Sequence, residues 1–137
     1  RRFMKKGFTL IELLVAVSII GILLAIGITN FRVANQKARD GRRQGDLEQI
    51  RAALELYRTD EGEYPDSDII SDGTIESGGG TVYMGEVPED PLSSYTYYYS
   101  SDGVTYDLCA SLELDTTGVC GGADCGETCN YLVENPL

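Results

Sequence analysis

The chain has 137 residues, a formal net charge of −11 and no histidine, a length that holds one modest domain and excludes a multidomain enzyme. Its charge is segregated: residues 1–58 carry all 11 Lys and Arg and a net charge of +6, whereas residues 59–137 carry acids only, for a net charge of −17. A C-terminal part without a single cation lacks the Lys and Arg contacts on which phosphate-backbone binding runs, so no direct nucleic acid binding is expected; it fits solubility outside the cell or divalent cation binding.

The chain opens on the basic stretch `RRFMKK`, then Gly7, then an apolar run from Phe8 to Phe31 interrupted by one charge, Glu12. As a helix that run is roughly 36 Å long, enough to cross a hydrocarbon core of about 30 Å. A cleaved secretory signal would have an apolar region of about 7 to 15 residues before a small-x-small site. This run is longer, and no Ala-x-Ala ends it. Arg1, Arg2, Lys5 and Lys6 are therefore expected to stay cytoplasmic, which places the C-terminal part outside the membrane as a single-span protein. A carboxylate inside such a span is costly and marks a functional position.

From Arg32 the helix is expected to continue to about Asp60–Gly62. Leu47, Ile50, Leu54 and Tyr57 recur at spacings of three and four, with Ala53 widening the same face, so this half is amphipathic and packs on something. Gly41 and Gly45 are weak points in it, each costing up to about 1 kcal/mol relative to alanine. Pro65 to Gly80 reads as an acidic, Ser- and Gly-rich loop. An EF-hand frame fails there, because starting at Asp66 or at Asp68 puts Ile70 at a ligand position or Gly79 where the glutamate belongs.

The remainder reads as strands. `TVYM` is short; `SYTYYYS` alternates, with Tyr95, Tyr97 and Tyr99 on one face; `SDG` is a hairpin turn; and `VTYDLCASLEL` is the partner strand. Tyrosines at period two pack on a helix more often than they carry electrons or adhesion. A sheet covered by the amphipathic helix makes an α+β domain: a long N-terminal helix on a small antiparallel sheet. The organisation is residues 1–7, 8–31, 32–62 and 63–137: a leader, an apolar helix, an amphipathic helix, and an acidic loop with sheet and cysteine-rich tail. In that tail Cys109, Cys120, Cys125 and Cys129 read as two disulfides of open connectivity in an oxidising space, with a four-thiolate zinc site as the alternative. No nucleophile stands in a recognisable setting, so the chain is not expected to be an enzyme.

The stretch `KKGFTLIELLVAVSIIGILLAI` closely resembles the N-terminal signature of type IV pilins and type II secretion pseudopilins, and `DLEQIRAALELYRTDEGEYP` followed by `VPEDP` resembles the major pseudopilin of type II secretion. The cysteine-rich end looks more like a disulfide-bearing pilin. The resemblance implies that a prepilin peptidase cuts between Gly7 and Phe8 and methylates the new amino terminus of Phe8, and that Glu12 meets the terminal amine of a neighbouring subunit. Its partners would be copies of itself, related pilins in a helical filament, the peptidase and an inner-membrane assembly platform. The final location would be an extracellular or periplasmic filament. Many relatives carry a proline after the apolar run; here the stretch reads `GITNF`, with Gly21 and Gly27 as the weak points. Some major pseudopilins hold calcium in a C-terminal loop, and Asp90, Asp102 and Asp107 lie in the comparable region. Three functions follow: a pilin-family filament subunit, the major pseudopilin of a type II secretion system, or a membrane-tethered calcium- or partner-binding domain that never polymerises.

Overall fold

The computed structural model describes residues 7–66, 68–115, 117, 120 and 123–135, with the side chains at 28 and 29 left aside. Two compact units meet in sequence at Asn35 and Gln36. Helix α1 runs Leu10–Glu61, and Gly21, Gly27, Gly41 and Gly45 are all helical within it.

In the first unit no described side chain of the helix is buried: the apolar side chains from Leu10 to Ile26 are exposed all round, and Phe8 before them is 88% exposed. A helix apolar on every side belongs in lipid or inside a larger assembly.

The second unit is a helix-on-sheet domain. Strands β3 (Tyr98–Ser101), β4 (Tyr106–Ala110) and β5 (Tyr131–Glu134) form an antiparallel sheet in the order β3-β4-β5. Tyr99 stands opposite Leu108, and Leu108 opposite Val133. All three are buried, on one face, against Leu47, Ile50 and Leu54 of α1. The period-two pleat turns Cys109 to the other face, where it packs with Cys125 and Cys129. Strand β4 is thus covered by the helix on one side and by the tail on the other.

Between helix and sheet, the acidic stretch is more ordered than a loop. It holds a single turn α2 (Ile69–Asp72), capped by Asp68 and ended by Gly73 at φ 70°, and an antiparallel pair β1 (Ile75–Glu76) and β2 (Val82–Met84). Ile69 and Ile75 anchor it in the core.

Two expected strand bounds are corrected in detail. The strand expected from Ser94 begins at Tyr98, because Tyr95 N–H donates to Leu92 in a turn and Thr96 N–H donates to the Cys125 carbonyl instead of a strand neighbour. Tyr97 and Tyr99 are nevertheless buried and Tyr95 half-buried. The partner strand stops at Ala110, where Asn130 takes over: its side-chain oxygen accepts from Leu112 N–H at 2.6 Å and its amide donates to the Leu112 carbonyl at 2.9 Å. Strand β5 had no expectation at all. The hairpin turn falls at Ser101–Gly103, with Asp102 Oδ1 accepting from the backbone of Val104 and Thr105 and Gly103 at φ 84°.

Candidate functional site

The N-terminal site is built on the first turn of α1. Thr9 precedes the helix and Glu12 is its third residue, the spacing of a capping box. Glu12 N–H donates to Thr9 Oγ1 at 3.3 Å, while Glu12 Oε2 accepts from Thr9 N–H at 2.9 Å and from the Thr9 hydroxyl at 2.8 Å. The carboxylate therefore satisfies one backbone donor, Thr9 N–H, and the Thr9 hydroxyl oxygen a second, Glu12 N–H, while the carboxylate charge sits at the positive end of the helix dipole. Gly7 and Phe8 lie just outside the helix and are exposed. The leader cations Arg1, Arg2, Lys5 and Lys6 lie outside the described residues.

A second constellation, absent from the sequence reading, stands in the domain. Arg43 is completely buried. Its Nε donates to Asp90 Oδ2 at 2.6 Å, its Nη2 to Asp90 Oδ1 at 3.0 Å, and its Nη1 to Asp40 Oδ1 at 2.7 Å and Glu113 Oε1 at 2.9 Å. The Tyr95 ring lies 4.9 Å from the guanidinium. Arg39 forks onto Glu113 with two bonds of 2.6 Å, and Asp40 also accepts from the Glu113 backbone N–H. Next to it Tyr97 donates to Asp46 at 2.8 Å. Burial opposes the Arg43 charge, but its hydrogen bonds to Asp90 and Glu113 outweigh that, and the guanidinium stays protonated well above its ordinary range. Burial and the Asp46 bond likewise push the Tyr97 phenol up.

The hydrogen bond from Arg39, reinforced by Arg43 and opposed by burial, lowers the Glu113 carboxyl from 4.5 to about 2. A carboxyl depressed in the folded state adds stability that is complete above its unfolded value and lost as pH falls through the folded one. The Glu113 contribution should therefore fade between pH 4.5 and about 2. Urea midpoints measured across that window for the wild type and Glu113→Gln should converge as the pH falls. A gap that stays constant with pH would contradict the assignment.

The cysteines pair as Cys109–Cys120 and Cys125–Cys129, and no free cysteine remains. With every sulfur in a disulfide, none is a thiolate ligand, and this corrects the zinc alternative. The first bridge ties β4 to the tail. The second closes a short ring at whose Gly126, φ 79°, a Cβ would run into the Ser94 carbonyl oxygen. The three aspartates considered for calcium are not brought together. Asp90 holds Arg43, Asp102 caps its own turn, and Asp107 is exposed on β4. Among the described residues no group of three or more His, Cys, Asp or Glu side chains could hold a metal ion.

A long helix with an exposed apolar N-terminal half, a carboxylate in its first turn and a small sheet packed on its C-terminal half are the features of the pilin-like class of proteins. The family described as the prokaryotic N-terminal methylation motif matches residues 2–28, and the one described as type II secretion system protein G matches residues 30–125. The chain belongs to the type II secretion system protein G family. It is similar to the type II secretion system core protein G of Pseudomonas aeruginosa, 30% identical over 135 residues that cover 90% of this chain and 92% of the relative. The protein of the same name from Vibrio cholerae is 30% identical over 116 residues, 76% of this chain and 77% of the relative. That from Klebsiella pneumoniae is 28% identical over 102 residues, 66% and 71% respectively. No solved structure matches the chain.

Proposed function

We propose that this chain is the major, filament-building subunit of a type II secretion pseudopilus. It is made as a membrane-anchored precursor with a cytoplasmic N-terminus, cut between Gly7 and Phe8, methylated at Phe8, and polymerised through α1 with copies of itself and related pilins. The observation that carries the reading is the unburied apolar surface of Phe8 and of α1 from Leu10 onward, with Glu12 bonded to Thr9, the residue before its helix. The family match over residues 30–125 supports secretion ahead of a pilus proper. A type IV pilus subunit is the second reading, favoured by the doubly bridged tail. In either filament Glu12 exchanges its place on Thr9 for the Phe8 amine of a neighbour, so two groups that are unfavourable alone in low dielectric offset each other.

The test compares Glu12→Ala with Glu12→Gln. Glutamine keeps the capping geometry and loses the charge. Both variants should insert and be processed normally, yet give filament yields by shearing about tenfold or more below wild type. Normal yield in both, at equal membrane levels of processed subunit, would remove the electrostatic account and leave apolar packing as the driver.

A further inference from the structure

Strand β3 has β4 on one side and no strand on the other, since the sheet order is β3-β4-β5. An edge of this kind presents backbone N–H and C=O groups that can pair with another chain, and proteins guard such edges with charged side chains or proline. Residues 94–101, `SYTYYYSS`, contain neither. A cleft of about 630 Å³ is lined by this segment together with Ile70, Val87 and Glu89 of the acidic stretch. The pleat shows that the cleft runs along the edge. Tyr97 and Tyr99 turn to the helix side of the sheet and Tyr98 packs with the cysteines on the other side, yet all three line the cleft. Only a cleft that follows the edge of a strand touches consecutive residues of it.

We propose that the β3 edge captures, as an added strand, a short extended segment of a different polypeptide that carries lysine or arginine beside an apolar residue. In strand addition the backbone pairing supplies affinity and the walls of the cleft supply the preference. Ile70 and Val87 give those walls an apolar part, and Asp68, Glu89 and Asp124 stand exposed along them. Asp90 also lines the cleft, but Arg43 already holds both of its oxygens. No Lys or Arg among residues 59–137 balances the other three acids, so the complementary partner is a cation. A second copy of this chain does not supply it as a strand, because outside the leader every Lys and Arg lies on helix α1. Tyr97 to Tyr99 span roughly 10 Å, which fits an added strand of about three or four residues. Capture at this edge does not depend on filament formation.

The experiment uses the full chain in a zwitterionic detergent and a fluorescein-labelled pentapeptide that alternates lysine and valine, with binding read by fluorescence anisotropy. This peptide should bind about tenfold or more tightly than a pentapeptide alternating glutamate and valine, and by the same margin over the lysine peptide N-methylated along its backbone. Methylation keeps the charge and removes the backbone donors. The lysine peptide should also slow hydrogen exchange at residues 97–99. Glu89→Lys and Ser93→Trp, at two exposed positions of the cleft, should each weaken binding about fivefold or more. Both should melt within about 2 °C of wild type. Equal binding of the methylated peptide reduces the site to a charged surface and overturns the inference, as does protection from exchange that spares residues 97–99. Equal binding of the glutamate peptide overturns the choice of partner, and so does release of the lysine peptide as the chain itself is concentrated, which assigns the edge to a second copy. A wild type that binds none of the three peptides removes the site altogether.

Discussion

Arg43→Ala should lower the stability of the domain by about 3–5 kcal/mol, the usual cost of removing one partner from a buried ion cluster. The reason is what stays behind. Asp90 is 1% exposed and loses a two-pronged partner, while Asp40 and Glu113 lose a shared one. Three largely buried carboxylates left without their shared cation repel one another. For a domain of about 100 residues such a loss moves the melting temperature down by roughly 15 to 30 °C. Arg43→Lys should recover only part of it, because an ammonium cannot present the planar fork that meets both Asp90 oxygens. Arg39→Ala, a change at a side chain 32% exposed, should cost much less. Thermal and urea unfolding of the four proteins decide the matter, and an Arg43→Ala protein melting within a few degrees of wild type would show that the cluster contributes nothing net.

Gly126→Ala is expected to be the most damaging single methyl in the tail, at about 3 kcal/mol or more. Two effects coincide there. The backbone sits at φ 79°, where a Cβ is strained, and that Cβ would be driven into the Ser94 carbonyl. Neither side can move away cheaply. The ring is closed by Cys125–Cys129, and the opposing strand of chain is held by the Thr96 N–H bond to the Cys125 carbonyl at 3.0 Å. Gly78→Ala is the control: Gly78 faces open space with no positive φ, and its replacement should leave the melting temperature unchanged. Equal melting temperatures for the two variants would mean that the ring does not press on residues 94–96 in solution.

The sequence shows the helical core well and its polar partner poorly, for a physical reason. Leu47, Ile50, Leu54 and Tyr57 announce a face by period, and Ser101–Gly103 announces a turn by chemistry; both signals are local. Arg43 precedes Leu47 by four residues and lies on that same face, which is the one local hint that it is buried. Its acceptors Asp90 and Glu113 stand 47 and 70 residues away, beyond any pattern a window can detect. Strand β5 was missed because four residues after a cysteine-rich loop are too few to alternate convincingly. Thr9 was within reach, since a threonine three places before a glutamate at the start of an apolar run is a capping signal.

The spacing of the Arg43 partners also orders events in time. A chain that is made N-terminal part first presents Arg39 and Arg43 long before Glu113, and contacts separated by 70 to 74 residues are among the last to close. During that interval Arg43 has only Asp40 of its own helix as a partner, and Asp90 and Glu113 are still to come. The fold completes its electrostatics only on arrival of the sequence's last third, so a closed clamp marks a domain whose chain is nearly all in place.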